Sequence, residues 1–296
     1  MIQTLNVLTS ALRSSGGPCV RERIAGVDSL VARLRGGSGP AIVFANAATP
    51  RGVEEPAVAR FLSGLARAGF VAVAPELPRV RAGEVTPHTV EALVAVARAA
   101  GPRVTLVGAS TGAGLSILAA GDPLLANRVN AVLAIAPFAS LERILRLGTT
   151  GFYGDARYPA APLVARATMR SLAASAPDDP AVPALLSNRD PARFDELFAA
   201  LDPHTHALVA ELSPVTRISH VSAPIEIASE LDDAFFPVAE AHALVDAGDD
   251  VRLTVTRALE HVCPRPRPGL VRVVAALDRT LRRAAEPVPV LRPALA

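Results

Sequence analysis

Val104-Thr105-Leu106-Val107-Gly108-Ala109-Ser110-Thr111-Gly112-Ala113-Gly114 is the stretch from which the chain is best read. Val104 to Val107 is a short apolar run that predicts a buried strand, and Leu115 to Ala120 predicts a helix. The pattern G-x-S-x-G stands where one becomes the other. A serine at such a turn needs a strained, positive-φ backbone, and a side chain two residues away on either side would strike neighbouring backbone. Gly108 and Gly112 are therefore read as the residues that permit the turn, and Gly114 as letting the helix pack close to the sheet. The helix start then aims its free amides at Ser110. By composition the pattern is weak, because the chain holds 20 glycines. Its place between strand and helix makes it specific. A dinucleotide fingerprint would follow the first strand and be answered by an acid at the end of the next, whereas here the next strand ends Ala134-Ile135-Ala136-Pro137.

Outward from this turn, strand and helix alternate. Toward the N-terminus, Cys19–Arg23 and Ser29–Leu34 read as a hairpin around Ala25–Asp28, with Ala41–Ala45 and Phe70–Ala74 as buried strands. Amphipathic helices follow each, one carrying Val58, Phe61, Leu62 and Leu65, the other starting near Thr86-Pro87 and ending at Gly101. Toward the C-terminus, Ala131–Ala136, Ile225–Ala228 and Val251–Val255 read as strands, with Val238–Ala247 and Leu270–Arg283 as helices. Continuous apolar strands between amphipathic helices predict an α/β fold: a mostly parallel sheet with helices on both faces. The segment 140–213 breaks the rhythm. It is proline-rich and helical in pattern, shows no clear strand, and reads as an inserted helical cap. The expected division is a core over 1–139 and 214–285, the cap over 140–213, and a flexible tail over 286–296.

Composition removes several classes of function. The 296 residues are 50% hydrophobic and 20% charged, enough to build a sizeable core. All thirty basic residues are arginine. Without lysine there is no Schiff-base or pyridoxal chemistry and no P-loop. The net charge of +2 comes from scattered arginines, so nucleic acid is not an expected partner. Two cysteines, Cys19 and Cys263, are too few for a disulfide framework or a thiolate zinc site. Met1–Ser15 has no basic start and includes Gln3, Asn6 and Thr9, a poor secretory signal. No apolar run nears the roughly 18 residues of a membrane span, so a cytoplasmic protein is expected.

A serine nucleophile needs a base and an orienting acid. Asp232 and Asp233 lie in the loop after the strand at Ile225, and His261 in the loop after the strand at Val251, so both open on the same sheet edge as Ser110. His261 is the only one of the six histidines so placed. His204 and His206 lack a third ligand, and no metal is expected. Cys263 is read as a small packing residue.

These residues make the chain resemble the α/β-hydrolase superfamily, and in its compact form it is similar to dienelactone-hydrolase-like and esterase-like members. The resemblance runs from Cys19 to about Arg283, with 140–213 where the family inserts its cap. It implies a Ser110, Asp233, His261 triad, since the family's aspartate stands four residues before a proline, as Asp233 does before Pro237; Asp232 is the alternative acid. The family's oxyanion loop is usually His-Gly, whereas this chain has Ala45-Asn46-Ala47-Ala48-Thr49-Pro50. The amides of Ala48 and Thr111 are the expected oxyanion donors. The implied activity is cleavage of a small-molecule carboxylic ester or thioester without a cofactor. A non-catalytic binding protein of the same fold is the alternative, motivated by the altered oxyanion loop, and oligomeric state is left open.

Overall fold

The computed structural model describes residues 19–34, 37–158 and 161–286. The reading of Met1–Ser15 and the expected tail beyond Glu286 lie outside the described residues. Eight strands, numbered here in chain order, form one sheet: β1 (Cys19–Ile24), β2 (Val27–Ala32), β3 (Ala41–Ala45), β4 (Val71–Pro75), β5 (Val104–Ala109), β6 (Val129–Ile135), β7 (Ile225–Glu230) and β8 (Val251–Thr256). Their spatial order is β1-β2-β4-β3-β5-β6-β7-β8. Only β2 runs against its neighbours; the other pairings are parallel.

The leading hairpin is tighter than expected. Ala25 and Gly26 alone make its turn, at φ 49° and 82°. A two-residue turn with both φ values positive matches the twist of the flanking strands, and so Val27 pairs directly with Ile24. Val27 and Asp28, expected in the turn, belong to β2, and the Asp28 carbonyl accepts the Glu76 N–H at 2.7 Å.

Side chains alternate across β3: Val43 enters one core while Ile42 and Phe44 enter the other. The first core holds Leu93 of helix Pro87–Ala100, Leu115 and Ile117 of helix Thr111–Ala120, and Leu244 of helix Val238–Ala247. The second holds Leu62 and Leu65 of helix Pro56–Arg67 with Leu277 and Leu281 of helix Leu270–Ala285. Every residue of Thr111–Ala120 is buried, as expected of a helix apolar on all sides. Each fully buried leucine among these contributes about 1.5–3 kcal/mol.

Between β6 and β7 the chain forms helices Leu141–Thr150, Ala161–Ser175, Val182–Ser187, Phe194–Ala199 and Pro203–Glu211. The expectation of a segment without strands is corrected by a small hairpin, Phe152–Tyr153 paired with Ala156–Arg157. Two glycines explain it: Gly151 ends the preceding helix at φ 79°, and Gly154 turns the hairpin at φ 57°. Leu145, Leu147, Leu172, Leu185 and Phe194 of this segment are fully buried and continuous with the first core.

Candidate active site

Ser110 occupies the first position past β5 with φ 53° and ψ −121°, and helix Thr111–Ala120 starts immediately after it. That backbone is unfavourable for a side chain and persists because its surroundings leave no other path. A Cβ on Gly108 would lie 2.3 Å from the Gly112 carbonyl oxygen, and one on Gly112 would lie 2.2 Å from the Ala45 carbonyl oxygen. Either would force the turn open. Gly114 has a different reason from the expected one: a Cβ there would meet the Phe138 ring, in the loop after β6, at 2.3 Å. The glycine makes room for that ring rather than for the sheet.

The structure brings together the residues singled out in the three loops. His261 Nε2 lies 2.7 Å from Ser110 Oγ, and His261 Nδ1 lies 2.7 Å from Asp233 Oδ2. Asp233 is 2% exposed, and its other oxygen accepts the N–H groups of Phe235 and Phe236 at 2.7 and 3.0 Å. Both carboxylate oxygens are thereby held. Asp232 points away and forms an exposed pair with Arg257 at 3.1 Å. His261 itself sits at φ 57° in the turn of a two-stranded hairpin, Leu259–Glu260 with Cys263–Pro264. The hairpin turns its far strand outward, so Cys263 is exposed rather than a packing residue.

Glu230, at the end of β7, is buried and spans the gap to this hairpin, accepting the Leu259 N–H at 2.7 Å. Burial pushes its carboxyl pKa up; the charges of Asp232 and Asp233 add to the rise, while the Leu259 hydrogen bond and Arg267 oppose it. Glu260 is exposed and pairs with Arg265. Of the other histidines, His88 pairs with Glu91 at the surface, His206 meets the Phe198 ring edge-on at 4.9 Å, and His204, His220 and His242 are exposed.

The sequence reading missed the aromatic wall. Phe235 lies 4.5 Å and Phe236 5.8 Å from the imidazole, and Phe138 stands 5.8 Å behind Phe236. The available signal was the Phe-Phe pair between Asp233 and Pro237. Also missed was Tyr158, whose hydroxyl donates to the Asp233 carbonyl oxygen at 2.6 Å.

At the expected oxyanion loop, Asn46 Nδ2 donates to the Gly52 carbonyl at 2.8 Å and curls the loop back on itself. Ala47 is buried beneath it and Ala48 is exposed. The Thr111 amide opens a helix and so has no carbonyl one turn earlier in that helix.

No protein-family model matches the chain, and no curated protein matches it. Among solved structures it is similar to Pyrococcus horikoshii acylaminoacyl peptidase, at 15% identity and a TM-score of 0.59, over 93% of this chain and 42% of the peptidase. The chain thus spans less than half of that protein's length. It is similar also to Est1E from Butyrivibrio proteoclasticus, at 13% identity and a TM-score of 0.57, over 91% of this chain and 100% of Est1E. A third, the HSL-homolog EstE7 from a metagenome library, shows 15% identity and a TM-score of 0.56, with 96% of each chain covered. The strand order, the antiparallel β2 and these likenesses agree, and the chain has the α/β-hydrolase fold.

Proposed function

We propose that the protein is a serine hydrolase that cleaves a carboxylic ester or thioester of a small molecule. One observation carries this reading: the unbroken line from Ser110 Oγ through the His261 imidazole to the buried Asp233 carboxylate, with 2.7 Å at each step. Asp233 accepts the Nδ1 proton of His261, which leaves Nε2 free to accept from the Ser110 hydroxyl. Ser110 then attacks the substrate carbonyl as its proton passes to Nε2. The Thr111 amide, with Ala48 as its expected partner across the loop after β3, donates to the oxyanion. The imidazolium returns its proton to the leaving alcohol or thiol, and water, activated by the same imidazole, clears the acyl-enzyme.

The segment 140–213 serves as a cap in this reading, the core being 1–139 with 214–285. Ser171 Oγ accepts the Val85 N–H at 2.9 Å, and Ala167 lies against Gly83, beside Ala48. Helix Ala161–Ser175 therefore reaches the loops near the proposed oxyanion site. The aromatic wall at His261 is an apolar surface suited to an uncharged acyl or alcohol group. No helix among the described residues is long and apolar enough to cross a membrane.

A fluorophosphonate probe tests the reading directly. The folded protein should be labelled at Ser110, Ser110→Ala should not be labelled, and one or more p-nitrophenyl esters of graded chain length should be turned over. Labelling that persists in Ser110→Ala would remove Ser110 from the mechanism.

A further inference from the structure

The protein holds only two tyrosines, Tyr153 and Tyr158, one in the hairpin of the insert and one directly after it, and both reach the segment that follows β7. Tyr153 donates to Glu240 at 2.7 Å, and Tyr158 donates to the Asp233 carbonyl oxygen at 2.6 Å. Glu240 lies in helix Val238–Ala247, directly after the acid loop, and is fully buried. Its carboxylate also accepts the N–H groups of Ala139 and Ser140, at 2.6 and 2.8 Å, and the Arg143 guanidinium. One carboxylate therefore anchors the start of helix Leu141–Thr150 and the hairpin that comes after it. The Tyr158 N–H is fixed in turn to the Gly151 carbonyl at 2.9 Å. The path from Glu240 to the Tyr158 hydroxyl is hydrogen-bonded at each end, and it terminates on the backbone of Asp233.

We infer that Tyr158 is a positioning residue for Asp233, through which the insert sets the orientation of the acid that holds His261. The side chain of Asp233 is fixed by the amides of Phe235 and Phe236, and these bonds lie within its own loop. They set the carboxylate relative to the loop. They do not set the loop relative to Ser110. The Tyr158 hydroxyl supplies that second constraint, because it grips the peptide of Asp233 from an element outside the sheet. Burial, with the charges of Asp233 and Asp232, pushes the Tyr158 pKa up to about 12, so the phenol remains a donor at any ordinary assay pH.

This inference rests on the serine-hydrolase reading, and the experiment separates the two. Tyr158→Phe removes one oxygen and keeps the ring. It is measured in the natural background and in Asp233→Asn, by the rate of fluorophosphonate labelling at Ser110 and by kcat and KM on p-nitrophenyl butyrate, with thermal midpoints recorded for each chain. Tyr158→Phe should lower the labelling rate and kcat about fivefold to tenfold, with KM unchanged, which is the effect of one well-placed hydrogen bond. In Asp233→Asn it should cause no further fall, since the residue through which it acts has already been disabled. An equal fall in both backgrounds, or none in the natural one, would overturn the positioning role while leaving the triad standing. A Tyr158→Phe chain that cannot fold would overturn it too, by making the phenol a requirement of the fold. Full activity in Asp233→Asn would overturn the triad reading and this inference together.

Discussion

At Ser110 the backbone is held by missing side chains: Gly108 and Gly112 let two strand ends and a helix start approach within distances that no Cβ could tolerate. Asp233 is held instead by added partners, on its carboxylate and on its main chain. Two amides, an imidazole and a tyrosine from a segment 75 residues earlier in sequence converge on one aspartate. The first kind of order is steric: its glycines stand within five consecutive residues, although the atoms they clear include the distant Ala45 carbonyl. The second is polar and assembled over distance, and it can be weakened by degrees without collapsing. One methyl in the elbow should therefore shift the turn as a whole, whereas the contacts at the acid loop can be removed one at a time.

The largest effect should come from the imidazole that joins the two regions. His261→Ala should lower ester turnover by about 10⁶, as loss of the base does in a serine triad, measured as kcat against p-nitrophenyl esters. A folded His261→Ala chain with the natural rate would detach the elbow from the acid loop altogether.

Next comes the proposed acid. Asp233→Asn should cost about 10⁴ in kcat through loss of the tautomer that leaves Nε2 free. Asp232→Asn breaks only an exposed pair with Arg257 and should change kcat by less than about twofold. A reversal of the two, with both chains folded, would show that the loop holds its carboxylates otherwise.

On the steric side, Gly112→Ala places a methyl against the Ala45 carbonyl, and the strand end must shift to admit it. About 1–3 kcal/mol of stability should be lost, read from urea unfolding, together with more than tenfold of activity. A variant as stable and active as the natural chain would contradict the steric account of the elbow.

The smallest effect concerns Glu230. Its folded-state pKa is raised, so the folded chain holds a proton that the unfolded chain has released, and stability falls as pH rises from the ordinary carboxylate range through the raised value. Glu230→Gln can still accept the Leu259 N–H but does not titrate. The difference in thermal midpoint between Glu230→Gln and the natural chain should therefore move in favour of glutamine as pH rises through that window. A difference independent of pH would remove the raised carboxyl from the account.

The same contrast governs how much of the molecule was legible in its sequence. The alternating strands and helices, the turn at Ser110 and the loops bearing Asp233 and His261 follow from apolar periodicity and loop position, which depend on near neighbours in the chain. Element ends were less legible. β7 extends through Ser229 and Glu230 because its ladder with Val255 and Thr256 continues to the site edge, although polar residues there suggested a loop. The hairpin at Phe152–Arg157 was hidden because two-residue strands have no periodicity. Tyr158, Glu230 and Glu240 were hidden for a different reason: each acts on a residue 29 or more positions away, and no local pattern distinguishes a tyrosine that reaches an aspartate carbonyl from one that packs in a core. Gly114 is needed where the pattern expects it but for a different partner, since Phe138 lies beyond a strand crossover.

The two tyrosines have a further use, because the chain contains no tryptophan. Its intrinsic emission therefore comes from Tyr153 and Tyr158 alone, and both phenols donate to oxygens of the segment after β7. A phenol bound to a carboxylate or carbonyl emits differently from one in water. The fluorescence of the unlabelled protein is thus a built-in gauge of contact between insert and acid loop, blind to the rest of the sheet. Comparing it with circular dichroism during denaturation would show whether the insert lets go before the core melts.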